Sequence, residues 1–367
     1  MGANPFKPTA GKNPPIFIGR DEVIEEFAEG LENGPGAPGR LMRVIGMRGM
    51  GKTVLLNEIG SYARALGWTV LDETASEGFC DRLLAAANPD RRVGRITAGP
   101  SILGVSLGSV ELDRAALSLR EALGALAKRD NSGVLITLDE VQDASLDEMR
   151  ALSVAIQHII REDRNIAFVF AGLPSMIENV VNGKTLTFLR RAVPVELGPV
   201  DIEEVAQSFA RTMAETGMAI AQEVCEELAE STQGYPFMVQ LVGYYVWQAA
   251  RKAGTDTVDK QQAQEGTLRA RRRFDATVIE PVLQRLPGTA ISYLLAMASD
   301  GAKPSESGEV ARRLGKTLQQ VSTVRARLMR EDVIESRSWG RVSFAIPHMA
   351  DYLNEHRDEL EAEIASL

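Results

Sequence analysis

The chain predicts an α/β protein built on a parallel sheet, followed by an all-helical region and a small C-terminal module of helices and strands. Three observations carry this. From residue 41 to residue 197, short apolar runs rich in β-branched residues alternate with segments of helical periodicity, the pattern that β-α-β crossovers produce. Val134–Leu138 (Val-Leu-Ile-Thr-Leu) is almost continuously apolar, as a strand buried on both faces must be. After Asp201 the helical period takes over, with no strand pattern through about Ala250.

The elements follow in order. Residues 1–15, rich in Pro, Gly and Lys, read as an extended arm leading into Ile16-Phe17-Ile18-Gly19-Arg20-Asp21-Glu22. Val23–Leu31 has helical spacing, and Asn33–Gly39 (Asn-Gly-Pro-Gly-Ala-Pro-Gly) is a turn-rich connector. Leu41–Ile45 is a short strand, and Val54–Leu66 a helix with apolar residues at Leu55, Ile59, Tyr62 and Leu66, stopped by Gly67. A strand at Trp68–Leu71 and a short helix at Phe79–Ala87 come next. Arg91–Leu112 shows no clear period and fits either an irregular insertion or a hairpin. Leu117–Ala127 is helical and precedes the strand Val134–Leu138. Ser145-Leu-Asp-Glu148 reads as a capping box opening a helix with the stripe Leu146, Met149, Leu152, Ile156, Ile159. Asn165 turns the chain into a strand at Ile166–Ala171, and a last strand spans Ala192–Leu197.

Between the first strand and its helix lies Gly46-Met-Arg-Gly-Met-Gly-Lys-Thr53, a complete Gly-x-x-x-x-Gly-Lys-Thr loop. A triphosphate needs several donors converging on one small volume, and a glycine-rich turn at a helix N-terminus supplies them from the backbone. Lys52 adds a point charge for the β- and γ-phosphates, and the Thr53 hydroxyl is placed to ligate Mg²⁺. Gly46, Arg48, Gly49, Met50, Gly51, Lys52, Thr53 and Val54 are the expected nucleotide contacts. About ninety residues further on, the apolar strand ends in Asp139-Glu140. There Asp139 would hold Mg²⁺ through water and Glu140 would polarise an attacking water.

Together these motifs resemble those of an AAA+ ATPase, close to the STAND-type and archaeal origin-recognition-like group that carries a helical lid and a winged helix. Ile16–Glu22 is similar to the box in which backbone and arginine approach adenine, so the resemblance assigns Ile18, Gly19 and Arg20 to the base and implies ATP; no Asn-Lys-x-Asp guanine-reading motif occurs. Gly234-Tyr235-Pro236 resembles the Gly-x-Pro motif of the lid, implying nucleotide contacts from Tyr235 and Pro236. In Phe170-Ala-Gly-Leu-Pro-Ser175, Ala171-Gly172 occupy the place where the family keeps a polar γ-phosphate sensor, leaving Ser175 as the candidate. Leu189-Arg190-Arg191 stands where the family places an arginine finger, with Arg191 the candidate and Arg190 the alternative. A finger implies a homo-oligomer.

The C-terminal module reads as helices at Ile291–Met297, Glu309–Leu314 and Leu318–Arg330, then strands at Val333–Glu335 and Arg341–Ile346 around a Ser-Trp-Gly turn, the order of a winged helix. Thr317-x-x-Gln320 is a second capping box. The third helix is expected to bury Leu318, Val321, Val324 and Leu328 and to present Gln319, Gln320, Thr323, Arg327 and Arg330, residue types suited to base edges and phosphates of duplex DNA. Lys and Arg outnumber Asp and Glu between residues 287 and 350. Winged helices in this group also serve as protein-contact modules, and the acidic tail opposes non-specific DNA affinity.

The net charge of −9 leaves any nucleic-acid contact to a local surface. Two cysteines, Cys80 and Cys225, and three unpaired histidines exclude a disulfide framework and a transition-metal centre. No apolar signal core or membrane-length run appears, which predicts a cytoplasmic protein with no membrane contact. The expected layout is an arm (1–15), an AAA+ nucleotide-binding domain (16–200), a helical lid (201–286), a winged helix (287–350) and an acidic tail (351–367). The expected function is ATP binding and hydrolysis, with nucleotide state positioning the winged helix on duplex DNA; the alternative is a slow ATP-dependent switch acting through protein contacts.

Overall fold

A computed structural model describes residues 3–9, 14, 16–88, 109–129, 133–175, 177, 187–338 and 340–366. The chain divides into two compact units, one of residues 20–198 and one joining residues 1–19 to residues 199–367.

The first unit holds a five-stranded, all-parallel sheet: β1 (Leu41–Gly46), β2 (Thr69–Thr74), β3 (Val134–Asp139), β4 (Ile166–Gly172) and β5 (Val193–Leu197), in the order β2-β3-β4-β1-β5. The chain leaves the interior strand β1 for the edge strand β2 and then steps back through β3 and β4 to β1's side. Such a reversal opens a crevice at the carboxyl ends of the strands, where α/β sheets bind ligands. The carboxyl ends of β1, β3 and β4 carry Gly46, Asp139 and Gly172.

Helices α1 (Asp21–Glu32), α2 (Lys52–Ala65), α3 (Phe79–Ala87), α4 (Ser109–Arg129) and α5 (Leu146–Arg161) surround the sheet. Strands β3 and β4 are buried along their whole length, which explains why Val134–Leu138 lacks polar alternation. On one face, Leu83, Leu119, Leu123, Leu126, Met149, Leu152, Ile156 and Ile159 close over Val134, Ile136, Leu138, Phe168 and Phe170. Each such side chain, fully buried, contributes about 1.5–3 kcal/mol. Arg40 closes the unit's far corner: its guanidinium donates to Gly30 O at 2.7 Å, Leu31 O at 2.6 Å and Asn165 Oδ1 at 2.9 Å, satisfying the last carbonyls of α1.

Two expectations change here. Ser145 caps no amide of α5 with its side chain; Glu148 instead reaches the start of α3, accepting from Gly78 N and Cys80 N at 3.1 Å each. An acidic side chain at a foreign helix N-terminus satisfies orphan donors as well as a local box would. Of the ambiguous stretch 91–112, residues 91–108 lie outside the described residues, and Ser109–Leu112 begin the long helix α4.

In the second unit, α6 (Ile202–Glu215) starts at Asp201, whose carboxylate accepts from Glu203 N at 2.8 Å and Glu204 N at 3.4 Å. Helices α7 (Gln222–Thr232), α8 (Pro236–Ala253) and α9 (Lys260–Phe274) follow. A two-residue parallel pair, β6 (Ala219–Ile220) with β7 (Thr257–Val258), was not legible as strand. The chain continues through a π turn at Asp275–Ile279 and α10 (Glu280–Leu283) into α11 (Gly288–Ala298), α12 (Ser307–Arg313) and α13 (Leu318–Arg330). Strands β8 (Ser305–Glu306), β9 (Ile334–Ser338) and β10 (Arg341–Phe344) form an antiparallel sheet in the order β8-β10-β9, and α14 (Met349–Glu355) and α15 (Arg357–Ser366) end the chain. The three helices and the last two strands fall where the sequence reading expects them, but β8, between α11 and α12, is a strand that reading did not contain.

The N-terminal arm belongs to this unit. Phe6 is 1% exposed and lies against Gly243 of α8, where an added Cβ would sit 2.3 Å from the ring. Asn4 Nδ2 donates to Tyr244 O at 3.0 Å, and Lys7 N donates to Gln240 Oε1 at 3.0 Å.

Candidate nucleotide site

The loop after β1 takes its shape from two glycines in the left-handed region, Gly49 at φ 78° and Gly51 at φ 87°, a conformation that costs other residues energy. Gly46 is required for a different reason: a Cβ there would meet Leu197 Cβ at 3.0 Å. Gly51 is the N-cap of α2, whose first residue is Lys52. The first-turn amides and the dipole of a 14-residue helix both favour an anion.

Lys52 is 5% exposed, and its ammonium donates to Gly46 O at 2.8 Å and Met47 O at 3.1 Å. The cation is therefore held inside the loop it would serve. Beside it, Thr53 Oγ1 donates to Asp139 Oδ2 at 2.5 Å. The other carboxylate oxygen, Asp139 Oδ1, accepts from Glu140 N at 2.8 Å. Burial pushes the Asp139 carboxyl above its ordinary value, opposed by those two hydrogen bonds and by Lys52, and aided by the charge of Glu140. A buried carboxylate with too little positive charge beside it suits a cation site. One hydroxyl and one carboxylate fit Mg²⁺, which takes few protein oxygens and completes its shell with phosphate and water. Among the described residues no cluster of three or more His, Cys, Asp or Glu side chains could hold a metal by itself.

Glu140 has φ 55° and ψ 45°, a conformation uncommon for a side-chain-bearing residue. It ends the strand abruptly and leads into the single turn Val141–Asp143. Its Oε2 accepts from Gln142 Nε2, and Gln142 Oε1 accepts from Leu173 N at 3.4 Å. Gln142 was not anticipated from the sequence, where a lone Gln in a loop carries no signal.

The structure thus brings together the loop residues Gly46 to Val54, Asp139 and Glu140. Arg48 is exposed and Met50 buried within the loop. Arg20 donates to Gly198 O just past β5. Arg190 and Arg191 are exposed at the end of the 3-10 turn before β5. Ser175 lies past β4, half-buried. Ile18, Gly19, Tyr235 and Pro236 belong to the second unit. There Gly19 lies against Val200 and Glu204, and Gly234, at φ 68°, leaves no room for a Cβ beside Val200 O at 2.2 Å. Pro236 is the first residue of α8, the position where its missing N–H costs nothing.

On α13 the box Thr317/Gln320 forms, and Gln319, Gln320, Thr323 and Arg330 are exposed. Two details depart from the expected face. Leu318 is 55% exposed rather than buried, since it precedes the stripe set by Val321 and Leu328. Arg327 Nε bonds Glu331 Oε1 at 2.7 Å, so part of its charge is spent within the helix.

A strand, a glycine-rich anion loop and an acidic strand end on a parallel sheet define a P-loop nucleotide-binding fold of the AAA+ type. Residues 16–169 match the AAA ATPase domain family, and residues 276–353 match a domain of unknown function (DUF8462). The fold is similar to that of the Walker-type ATPase of Pyrococcus abyssi (TM-score 0.65, 18% identity, 93% of this chain and 96% of that one). It is equally similar to the ORC2 protein of Aeropyrum pernix, solved as ADPNP-ADP complexes (TM-score 0.65, 16% identity, 98% of both chains). Cdc6p from Pyrobaculum aerophilum is more distant (TM-score 0.53, 15% identity, 97% of both chains). No curated protein matches the sequence significantly.

Proposed function

We propose that the chain is an ATP-binding and ATP-hydrolysing AAA+ protein of STAND type whose nucleotide state positions a C-terminal winged helix on duplex DNA. The observation that carries the first half is the joining of Thr53 to Asp139 beside the buried ammonium of Lys52, because phosphoryl transfer asks mainly for fixed charge and position. In this reading the backbone of Gly49–Thr53 and the Lys52 ammonium cradle the phosphates. Thr53 and Asp139 would hold Mg²⁺, which would supply positive charge to the phosphates. Glu140 orients a water and takes its proton. Ile18, Gly19 and Arg20 serve the adenine, Tyr235 and Pro236 report nucleotide state, and Arg191 completes a neighbouring copy's site in a homo-oligomer. The ADPNP-ADP complexes of the Aeropyrum pernix protein support nucleotide binding here.

The proposed domains are the nucleotide-binding core at 16–200, the lid at 201–286, the winged helix at 287–350 and an acidic terminal segment at 351–367. Gln319, Gln320, Thr323, Arg327 and Arg330 of α13 face the DNA. The pairing of Arg327 with Glu331 favours a second reading, in which α13 contacts protein and hydrolysis is slow. The role we propose is cytoplasmic. No helix among the described residues is long and apolar enough to cross a membrane.

The test is the steady-state ATPase rate over a protein concentration series, with and without duplex DNA at near-physiological salt. A rate that rises with DNA, and falls back in an Arg327→Ala, Arg330→Ala variant, supports DNA coupling. A slow rate indifferent to DNA supports the protein switch.

A further inference from the structure

Resting on the hydrolytic reading above, we infer that Gln142 is the positioning residue for the Glu140 carboxylate and supplies the polar group that the end of β4 lacks. Gly172 closes β4, and a side chain there has no room: its Cβ would lie 2.6 Å from Val141 Cγ2 and 3.2 Å from Ile177 Cδ1. The strand end is sterically barred from carrying a polar group. The same Cβ point is 3.3 Å from Gln142 Oε1, so the space is taken by an amide arriving from the neighbouring turn.

Both ends of that amide are engaged. Its carbonyl accepts from Leu173 N at 3.4 Å, and its NH₂ donates to Glu140 Oε2. The turn that presents it is closed by Asp143 N donating to Glu140 O at 2.9 Å. Glu140 sits on a left-handed backbone position at a strand end, where its side chain would otherwise sample several rotamers. An amide donor on one oxygen fixes the carboxylate plane and leaves the second oxygen for a water. A general base works only when held within hydrogen-bond reach of the proton it takes, and misplacement by an ångström costs large factors in rate. Gln142 therefore acts through Glu140 and does not itself touch substrate.

The experiment compares the full chain with Gln142→Ala and Gln142→Glu, measuring ATP dissociation constants, kcat, KM and melting temperature. Gln142→Ala is expected to lower kcat by about tenfold or more, with ATP affinity and melting temperature near parental values, since only orientation of the base is lost. Gln142→Glu keeps the acceptor for Leu173 N but replaces the donor by a like charge. Its kcat is therefore expected to fall at least as far as that of Gln142→Ala while ATP affinity stays near parental, a split between kcat and binding that a purely structural residue would not cause. A parent that turns over while Gln142→Ala stays within about twofold in kcat overturns the role of Gln142 alone. Equal losses of ATP affinity and kcat overturn it too, by showing general damage to the turn. A parent without turnover overturns the hydrolytic reading and this inference with it.

Discussion

Thr53 Oγ1 and Asp139 Oδ2 are 2.5 Å apart although 86 residues separate them in sequence. One stands at the start of α2 and the other at the end of β3. Their meeting is a consequence of sheet order: β3 and β1 flank β4 in parallel, so their carboxyl ends share one edge. In the proposed reading the hydroxyl and the carboxylate are two halves of one cation site, separated in the chain and joined by topology.

The cost of holding Asp139 there yields the first prediction. Burial raises its pKa, so its contribution to stability is present at low pH and is lost as pH rises through the raised value. At neutral pH the charged form opposes folding. Asp139→Asn should therefore raise the melting temperature at about pH 7.5 while abolishing Mg²⁺-dependent turnover. A lower melting temperature in differential scanning calorimetry would contradict this.

Lys52 bonds two loop carbonyls. Lys52→Ala should lose charge-assisted bonds worth about 1.5–3 kcal/mol each before any nucleotide is added, and it should weaken ATP binding by at least about a hundredfold, as removal of a buried charge partner does. Equilibrium binding of labelled ATP, read beside chemical denaturation, measures both effects.

The arm makes a separate test. Phe6 fills a space that Gly243 leaves open and approaches Phe209, ring centroids 5.9 Å apart. Phe6→Ala should cost the second unit about 3–5 kcal/mol, and Gly243→Ala about 1–3 kcal/mol through overpacking. In limited proteolysis, both variants should be cut near residue 9 sooner than the parent. Equal cleavage rates would show that the arm is not anchored by this contact.

His348 carries a pH dependence. Its side chain is 8% exposed, and burial, then the charge of Arg271, hold the imidazole below its ordinary value, against Asp351 and a Ser231 backbone contact. Its neighbours are Gln233 at 3.2 Å, the Phe274 ring and the Arg271 guanidinium, which donates to His348 O. With a lowered folded pKa, the unfolded chain binds more protons below about pH 6.5, so stability is full above that value and falls as pH drops, by at most about 1.4 kcal/mol per unit. His348→Asn tolerates the φ of 62° and should flatten the melting profile between about pH 7 and 5. An unchanged slope would assign the dependence to other groups.

What the sequence made legible follows from locality. The phosphate loop, the strand Val134–Leu138 and the helix Phe79–Ala87 were readable because their signals lie within one element: glycines at fixed spacing, a nearly continuous apolar run, a short helical period. Glu148 was misread because its sequence suits a local box with Ser145, while tertiary packing offered it the amides of Gly78 and Cys80. Gln142 and Phe6 were invisible for the same reason. Each derives its role from a glycine elsewhere, Gly172 and Gly243, whose empty space only the fold reveals. Leu318 shows the reverse case, an apolar residue whose helical phase lies just outside the buried stripe.

The most direct test of the central claim is a paired measurement on Glu140→Gln: equilibrium ATP binding and single-turnover release of phosphate. The account predicts ATP affinity within a few-fold of the parent and phosphate release slowed by about a hundredfold or more, the usual contribution of a general base. Release at the parental rate would contradict it by removing Glu140 from the chemistry.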